Sequence, residues 1–297
     1  MPIPTTDPIV VAPMPTPFDD HDQVNFAAIE RNVARWLETP LTGFVLNSEN
    51  GEESFLAEHE RLEILRTVHR VRAGNRLLVA GIDCPAVTET LRQAEALVAA
   101  GADVLRLRIP RLTANVDGYF RQVLDRIPAP VLIIHQMAPG KFLSAGTGVG
   151  APAEMIAGWA EHENLFGYIC SDNLRFEALV QRHFPTDKRF WGANGTLLLA
   201  NAATGANGAC LMLGNVAPQA CLDLLSAAMQ GDLRKAQAIH AAIVQLDWEI
   251  LSRGAAGIKA ALELLGFELG SPRQPSLPCD DEGSGRIAAA LKAFQAV

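Results

Sequence analysis

Eight short apolar runs, each followed by a stretch with helical spacing, constrain this chain more than any single motif does. The runs are Ile9–Ala12, Gly43–Asn47, Leu77–Gly81, Val104–Arg108, Val131–His135, Leu165–Ile169, Arg189–Gly192 and Ala209–Met212. Between them apolar residues recur every three to four positions, as at Phe26, Ile29, Val33 and Leu37, or at Leu91, Ala94, Leu97 and Val98. That period predicts helices over Asn25–Trp36, Ala57–Val71 and Thr88–Ala100. Continuously apolar strands alternating with helices imply a parallel sheet buried on both faces. Eight such units fit an α/β fold of the closed (β/α)₈ type, the TIM barrel, with its site at the carboxyl ends of the strands. An open doubly wound sheet is the alternative. The lack of a Gly-x-Gly-x-x-Gly after the first run counts against it.

Gly101 and Gly205 each stand just past a predicted helix and before a strand, where a left-handed glycine ends a helix. From Pro218 onward the pattern is helical. Asp232–Leu251, Ala256–Leu265 and a last helix near Arg286–Phe294 follow one another, with a Pro-rich turn over 271–278. The division expected is a barrel over 1–217, its last helix running to about 229, and a C-terminal helical extension over 230–297.

The net charge of -8 and the absence of a Lys/Arg cluster argue against a nucleic-acid surface. No apolar run approaches the roughly 18 residues that a membrane span needs, and Met1–Pro4 lacks the start of a signal peptide. Five scattered cysteines form no Cys-x-x-Cys pair, so neither disulfides nor a zinc knuckle is expected. A cytoplasmic protein is the expectation.

Several segments resemble the dihydrodipicolinate synthase/N-acetylneuraminate lyase family. They are Pro15-Thr16-Pro17-Phe18, Ser48-Glu49-Asn50-Gly51-Glu52, Ala99-Ala100-Gly101-Ala102-Asp103, Gly205-Ala206-Asn207-Gly208, Gly214-Asn215-Val216-Ala217-Pro218 and Lys259-Ala260-Ala261-Leu262. Their order and spacing carry the likeness across nearly the whole chain. The resemblance implies a (β/α)₈ barrel with a helical extension, a homo-oligomer (tetramer or dimer), and lyase chemistry of the aldolase or dehydratase kind. In that chemistry a barrel lysine forms an imine with a small 2-oxo acid, a tyrosine relays protons and paired threonines hold the carboxylate.

At each of those positions this chain differs. The lysine position on strand six falls on Ile169; a one-residue shift gives Cys170, which is no amine either. The tyrosine position is matched to His135 and the threonine pair to Glu49 and Asn50. Lys141 stands for an arginine that often follows strand five, and Arg108, Pro110 and Arg111 occupy the place of an aromatic pair after strand four. Of the other lysines, Lys188 precedes strand seven, and Lys235, Lys259 and Lys292 belong to the C-terminal helices.

The residues left at the expected mouth suggest other chemistry, each beside a plainer role. His135 could shuttle protons or be a satisfied core histidine. Glu49 could act as a base or bind a cation, or be a solvated loop carboxylate. Arg106, between Leu105 and Leu107, points inward on this pattern and needs an anionic partner. Asn50, Arg108 and Lys141 are further candidate substrate contacts. Asp172 is a ligand or, on the preferred reading, a helix N-cap, and Asn194 is a ligand or a cap. No organic cofactor is implied. A divalent metal on Glu49, His135 and Asp172 is an alternative, although their spacing is no metal motif. Two functions follow: a lyase-like protein acting on or binding a small 2-oxo or hydroxy acid without a lysine imine, or a catalytically silent ligand-binding or structural homologue, a pseudoenzyme.

Overall fold

The computed structural model describes residues 7–72, 74, 76–110, 115–135, 151–170 and 173–296. Eight parallel strands close into a barrel in chain order: β1 (Ile9–Pro13), β2 (Gly43–Leu46), β3 (Leu77–Ile82), β4 (Val104–Arg108), β5 (Val131–Ile134), β6 (Leu165–Ile169), β7 (Arg189–Gly192) and β8 (Gly208–Cys210). The ring is completed where Ile9 pairs with Gly208 and Val11 with Cys210. Helices α1 (Phe26–Leu37), α2 (Glu58–Val71), α3 (Val87–Ala99), α4 (Val116–Leu124), α5 (Ala153–Ala160), α6 (Leu174–His183), α7 (Leu198–Ala203) and α8 (Pro218–Met229) follow the strands in turn. The extension is α9 (Leu233–Leu251), α10 (Gly254–Leu264) and α11 (Asp281–Gln295).

Period-2 alternation sorts the strand residues into two cores. Ile9, Val11, Val45, Val79, Leu132, Ile134, Ile169 and Trp191 meet inside the barrel. Val10, Phe44, Leu78, Leu105, Ile133 and Tyr168 face outward into the larger layer between strands and helices. Gly101 and Gly205 sit at φ 113° and 103°, as helix-ending glycines should.

Several expected boundaries move. Asn47 has φ 53°, which takes it out of β2 and turns the chain into the loop that follows. The eighth strand begins at Gly208 and ends at Cys210, because the chain turns after Leu211 into a short 3₁₀ segment, Met212–Asn215. The last helix starts five residues before Arg286, at Asp281, capped by the Asp280 side chain on the Gly283 amide. Gly283 and Gly285 dilute its helical signal in sequence.

The segments that carried the family resemblance turn out to be joints. Asn215 donates to the Pro13 and Met212 carbonyls at 2.9 and 3.1 Å and accepts the Trp36 indole N–H on its own carbonyl. It thereby ties the ends of β1 and β8 together. Glu52 takes a left-handed φ of 60°, and its carboxylate meets the Lys259 ammonium at 2.7 Å. Lys259 is buried, lies over the Phe18 ring and donates to the Ser271 carbonyl. The Arg273 amide donates to the other Glu52 oxygen at 2.8 Å. The strained loop after β2 is thus pinned to the extension.

Candidate functional site

A cavity of about 250 Å³ opens at the carboxyl end of the barrel. Its lining comes from the ends of β1, β2, β4, β5, β7 and β8 and from the junction of α9 and α10, through Leu251 and Gly254. Of the residues singled out in the sequence, Glu49, Asn50, Arg106 and Asn194 line this one space. Ser48, Val45, Ile134, Cys210 and Met212 complete most of it.

Glu49 and Asn50 form a short 3₁₀ turn after β2, capped by the Ser48 hydroxyl on the Gly51 amide. The Glu49 side chain is 69% exposed at the rim, and its carboxylate lies 3.9 Å from Arg108. Arg106 is 2% exposed and sits one residue pair deeper on β4. Its Nη2 donates to the Asn47 carbonyl at 2.9 Å and to Glu53 at 3.2 Å. The anionic partner that Arg106 required is therefore Glu53, a residue sequence reasoning passed over. The other Glu53 oxygen accepts from Arg108 Nη2 at 3.0 Å, and Arg108 Nη1 donates to Asp83. Room for the guanidinium comes from Gly81 on β3. A Cβ there would stand 1.9 Å from the Asn47 carbonyl oxygen and 2.2 Å from Arg106 Nη2.

Among the described residues at the ends of β5 and β6, Ile134 lines the cavity and Ile169 does not. Ile169 is fully buried in the inner cluster and pairs in register with Ile134. Its neighbours Tyr168 and Cys170 belong to the outer layer. Ile169, not Cys170, therefore holds the inward position at the end of β6. The same alternation applies to β5. Leu132 and Ile134 face inward, whereas His135, 2% exposed, has its ring centroid 5.0 Å from that of Phe176 on α6. The inward position at the end of β5 thus passes from His135, which the sequence matched to the family tyrosine, to Ile134. His135 is not among the residues lining the cavity.

Asn194 is half-buried and makes no capping hydrogen bond. The cap of the turn that follows it is supplied from α9. Asp247 accepts the Thr196 amide at 2.7 Å, and His240 Nε2 contacts the Thr196 carbonyl at 2.9 Å. Burial raises the Asp247 carboxyl above its ordinary value, against the lowering effect of the Thr196 and Gly195 amides. A polar residue on a helix expected to be merely amphipathic gave this role little sequence signal. Asn173 is the N-cap of α6, accepting the Phe176 amide at 3.2 Å. The capping role preferred for Asp172 therefore belongs to its neighbour; Asp172 itself and Lys141 lie outside the described residues.

Burial pushes the Cys210 thiol up to about 12, with Arg106 opposing the shift, so at neutral pH it is a thiol and a weak nucleophile. None of Lys188, Lys235, Lys259 and Lys292 lines the cavity. Lys188 donates to the His162 and Leu165 carbonyls at the amino end of β6. Among the described residues no group of three or more His, Cys, Asp or Glu could hold a metal. No helix among them is long and apolar enough to cross a membrane.

Known proteins resemble this chain along its length. "Probable 4-hydroxy-2-oxoglutarate aldolase, mitochondrial" of Emericella nidulans is 26% identical over 97% of this chain and 94% of the relative. A 4-hydroxy-tetrahydrodipicolinate synthase of an Exiguobacterium species is 24% identical over 97% of this chain and 98% of the relative. Among solved structures, the synthase of Cyanidioschyzon merolae with lysine bound superposes with a TM-score of 0.88 at 21% identity, covering 97% of this chain and 98% of that one. At that identity the likeness concerns the fold. The model of the Dihydrodipicolinate synthetase family matches residues 8–294. With the closed barrel, the pinned loop after β2 and a match of that extent, the chain belongs to the dihydrodipicolinate synthetase family.

Proposed function

We propose that this chain is a lyase-like family member that acts on or binds a small 2-oxo or hydroxy acid at the carboxyl end of its barrel, without an imine to lysine. The family's aldolase-like lyase chemistry supports the class. The observation that carries the rest is Ile169 at the inward end of β6, where an imine-forming amine would need to sit. Imine catalysis requires a desolvated, deprotonated amine beside the ketone, and Ile169 brings none. Among the described residues, the polar side chains lining the cavity are Ser48, Glu49, Asn50, Arg106 and Asn194. Among these, Arg106 suits an acid's carboxylate and the amides suit its oxygen substituents.

Borohydride reduction in the presence of pyruvate, followed by intact mass, tests this directly. The expected result is an unchanged mass; a stable reduced adduct would overturn the reading. The silent-homologue alternative draws on the apolar pair Ile134 and Ile169 at the inward ends of β5 and β6. Carbon–carbon cleavage of any member of a 2-oxo acid panel would remove that alternative.

We also propose a homo-oligomer, tetramer or dimer, working in the cytoplasm. Trp248, Leu264 and Leu277 of the extension are 59%, 53% and 80% exposed, apolar surface that suits a second copy. Sedimentation velocity showing a single species of protomer mass would contradict it.

A further inference from the structure

We infer that Arg106 is the seat of the ligand's carboxylate, so that a small monocarboxylate is held from β4 inside the barrel rather than from the loop after β2. This rests on the reading that the ligand is a small oxo or hydroxy acid, and specifies which group recognises it and how many acid groups it carries.

Arg106 is buried yet incompletely matched. Among the described residues both of its hydrogen bonds leave from Nη2, and its Nε has no partner. A guanidinium carries five N–H donors in a planar fork, so donors remain. Its counter-charge is also divided. The Glu53 carboxylate is shared with Arg108. A buried cation with half a carboxylate and unmade hydrogen bonds is costly unless something completes it. A ligand carboxylate supplies both the charge and paired acceptors. Gly81 keeps open the space the guanidinium occupies, so the fold is built around this side chain and has not merely trapped it.

The loop after β2 is poorly suited to the task. Its cavity-lining side chains are Glu49, which repels an anion, Asn50, and Ser48, whose hydroxyl is engaged in capping the Gly51 amide. Arg106 is the one Lys or Arg among the described residues lining the cavity, which matches one acid group. The remaining wall is largely apolar, through Val45, Ile134, Met212 and Leu251. The cavity volume of about 250 Å³ lies below the roughly 300–1,000 Å³ typical of drug-sized ligands.

Calorimetric titration of the full chain with 2-oxobutyrate, 2-hydroxybutyrate, 2-oxobutyramide and 2-oxoglutarate tests the inference. At least one of the two monocarboxylates binds, while the neutral amide and the dicarboxylate bind about thirtyfold more weakly or worse. Arg106→Met weakens the monocarboxylate by a similar factor of about thirty, and Arg106→Lys, which keeps the charge but not the fork, falls between. If Arg106→Met does not fold, as read by circular dichroism, the wild-type comparison of acid with amide decides alone. Equal affinity for acid and amide, or a folded Arg106→Met that binds as the wild type does, overturns this inference and leaves the oxo-acid reading standing. Equal affinity for 2-oxoglutarate overturns the single-acid specificity. Failure of every compound to bind overturns both.

Discussion

The two sides of the barrel mouth differ in kind. On the β2–β4 side, Arg106, Arg108, Glu53 and Asp83 form a buried or half-buried ionic network that reaches the cavity through Arg106. On the β5–β6 side, Ile134, which lines the cavity, and Ile169, which does not, pair in register as inward-facing apolar residues. Arg106, Arg108, Ile134 and Ile169 all come from barrel strands, whereas Glu53 and Asp83 come from the segments after β2 and β3. The side that would carry a lysine in the family's imine chemistry is filled like a core. Two interior positions of the kind a barrel usually fills with branched apolar residues carry arginines on β4.

The largest effect expected from disturbing this contrast comes from Glu53. Its two oxygens serve two buried guanidinium groups, so Glu53→Ala leaves both cations short of counter-charge. Breaking a buried pair by removing one partner costs about 3–5 kcal/mol. Urea denaturation of the full chain should show a loss of that size. A loss under about 1 kcal/mol would mean that water reaches the network and that the β4 side is an ordinary solvated face.

A smaller effect is expected on the apolar side. Ile169 is fully buried against the inner cluster. Ile169→Val removes one methyl group and should cost about 0.5–1.5 kcal/mol by the same measurement. A neutral or stabilising result would show that the wall is loosely packed at this point, and would weaken the contrast with the network opposite.

Most of the fold was legible from the sequence because its signals are local and repeated. Eight apolar runs, glycines at the helix ends and spaced helical faces each point to the same architecture. The inward-facing Arg106 was legible too, since a charge between Leu105 and Leu107 can face only one way if the leucines are to pack outward. What the sequence hid depended on phase and on distance. A one-residue offset at the end of β5 exchanges His135 for Ile134 at the inward position, and no motif fixes that phase. Glu53 is 53 residues from Arg106 and 55 from Arg108, and only barrel closure brings them together. Asp247 is 51 residues from the Thr196 amide it caps. Its partner is a backbone group, which carries no sequence signature at all.

Asp247 provides the mildest test, because it asks whether the third side of the mouth, at β7, belongs with the charged wall or the apolar one. It is buried on α9 and holds the turn that follows Asn194. Burial raises its carboxyl, while the Thr196 and Gly195 amides and the nearby His240 pull the other way. A raised folded-state value means that the folded protein holds this proton more tightly than the unfolded chain does. The stability it contributes is then fully present below the unfolded value, about 4, and is lost as pH rises through the higher folded value. Asp247→Asn keeps an oxygen for the Thr196 amide and removes the titration. The stability of the wild type minus that of Asp247→Asn should therefore fall as pH rises from about 4 and level off above the folded value. Urea melts at several pH values between about 4 and 7 would read this difference, in which titrating groups distant from Asp247 largely cancel. A difference that rises with pH instead would mean that the amides hold the carboxylate charged. In that case the β7 turn presents Asn194 from an ionic anchor, as β4 presents Arg106, and the polar part of the mouth spans more of the ring than the β2–β4 side alone.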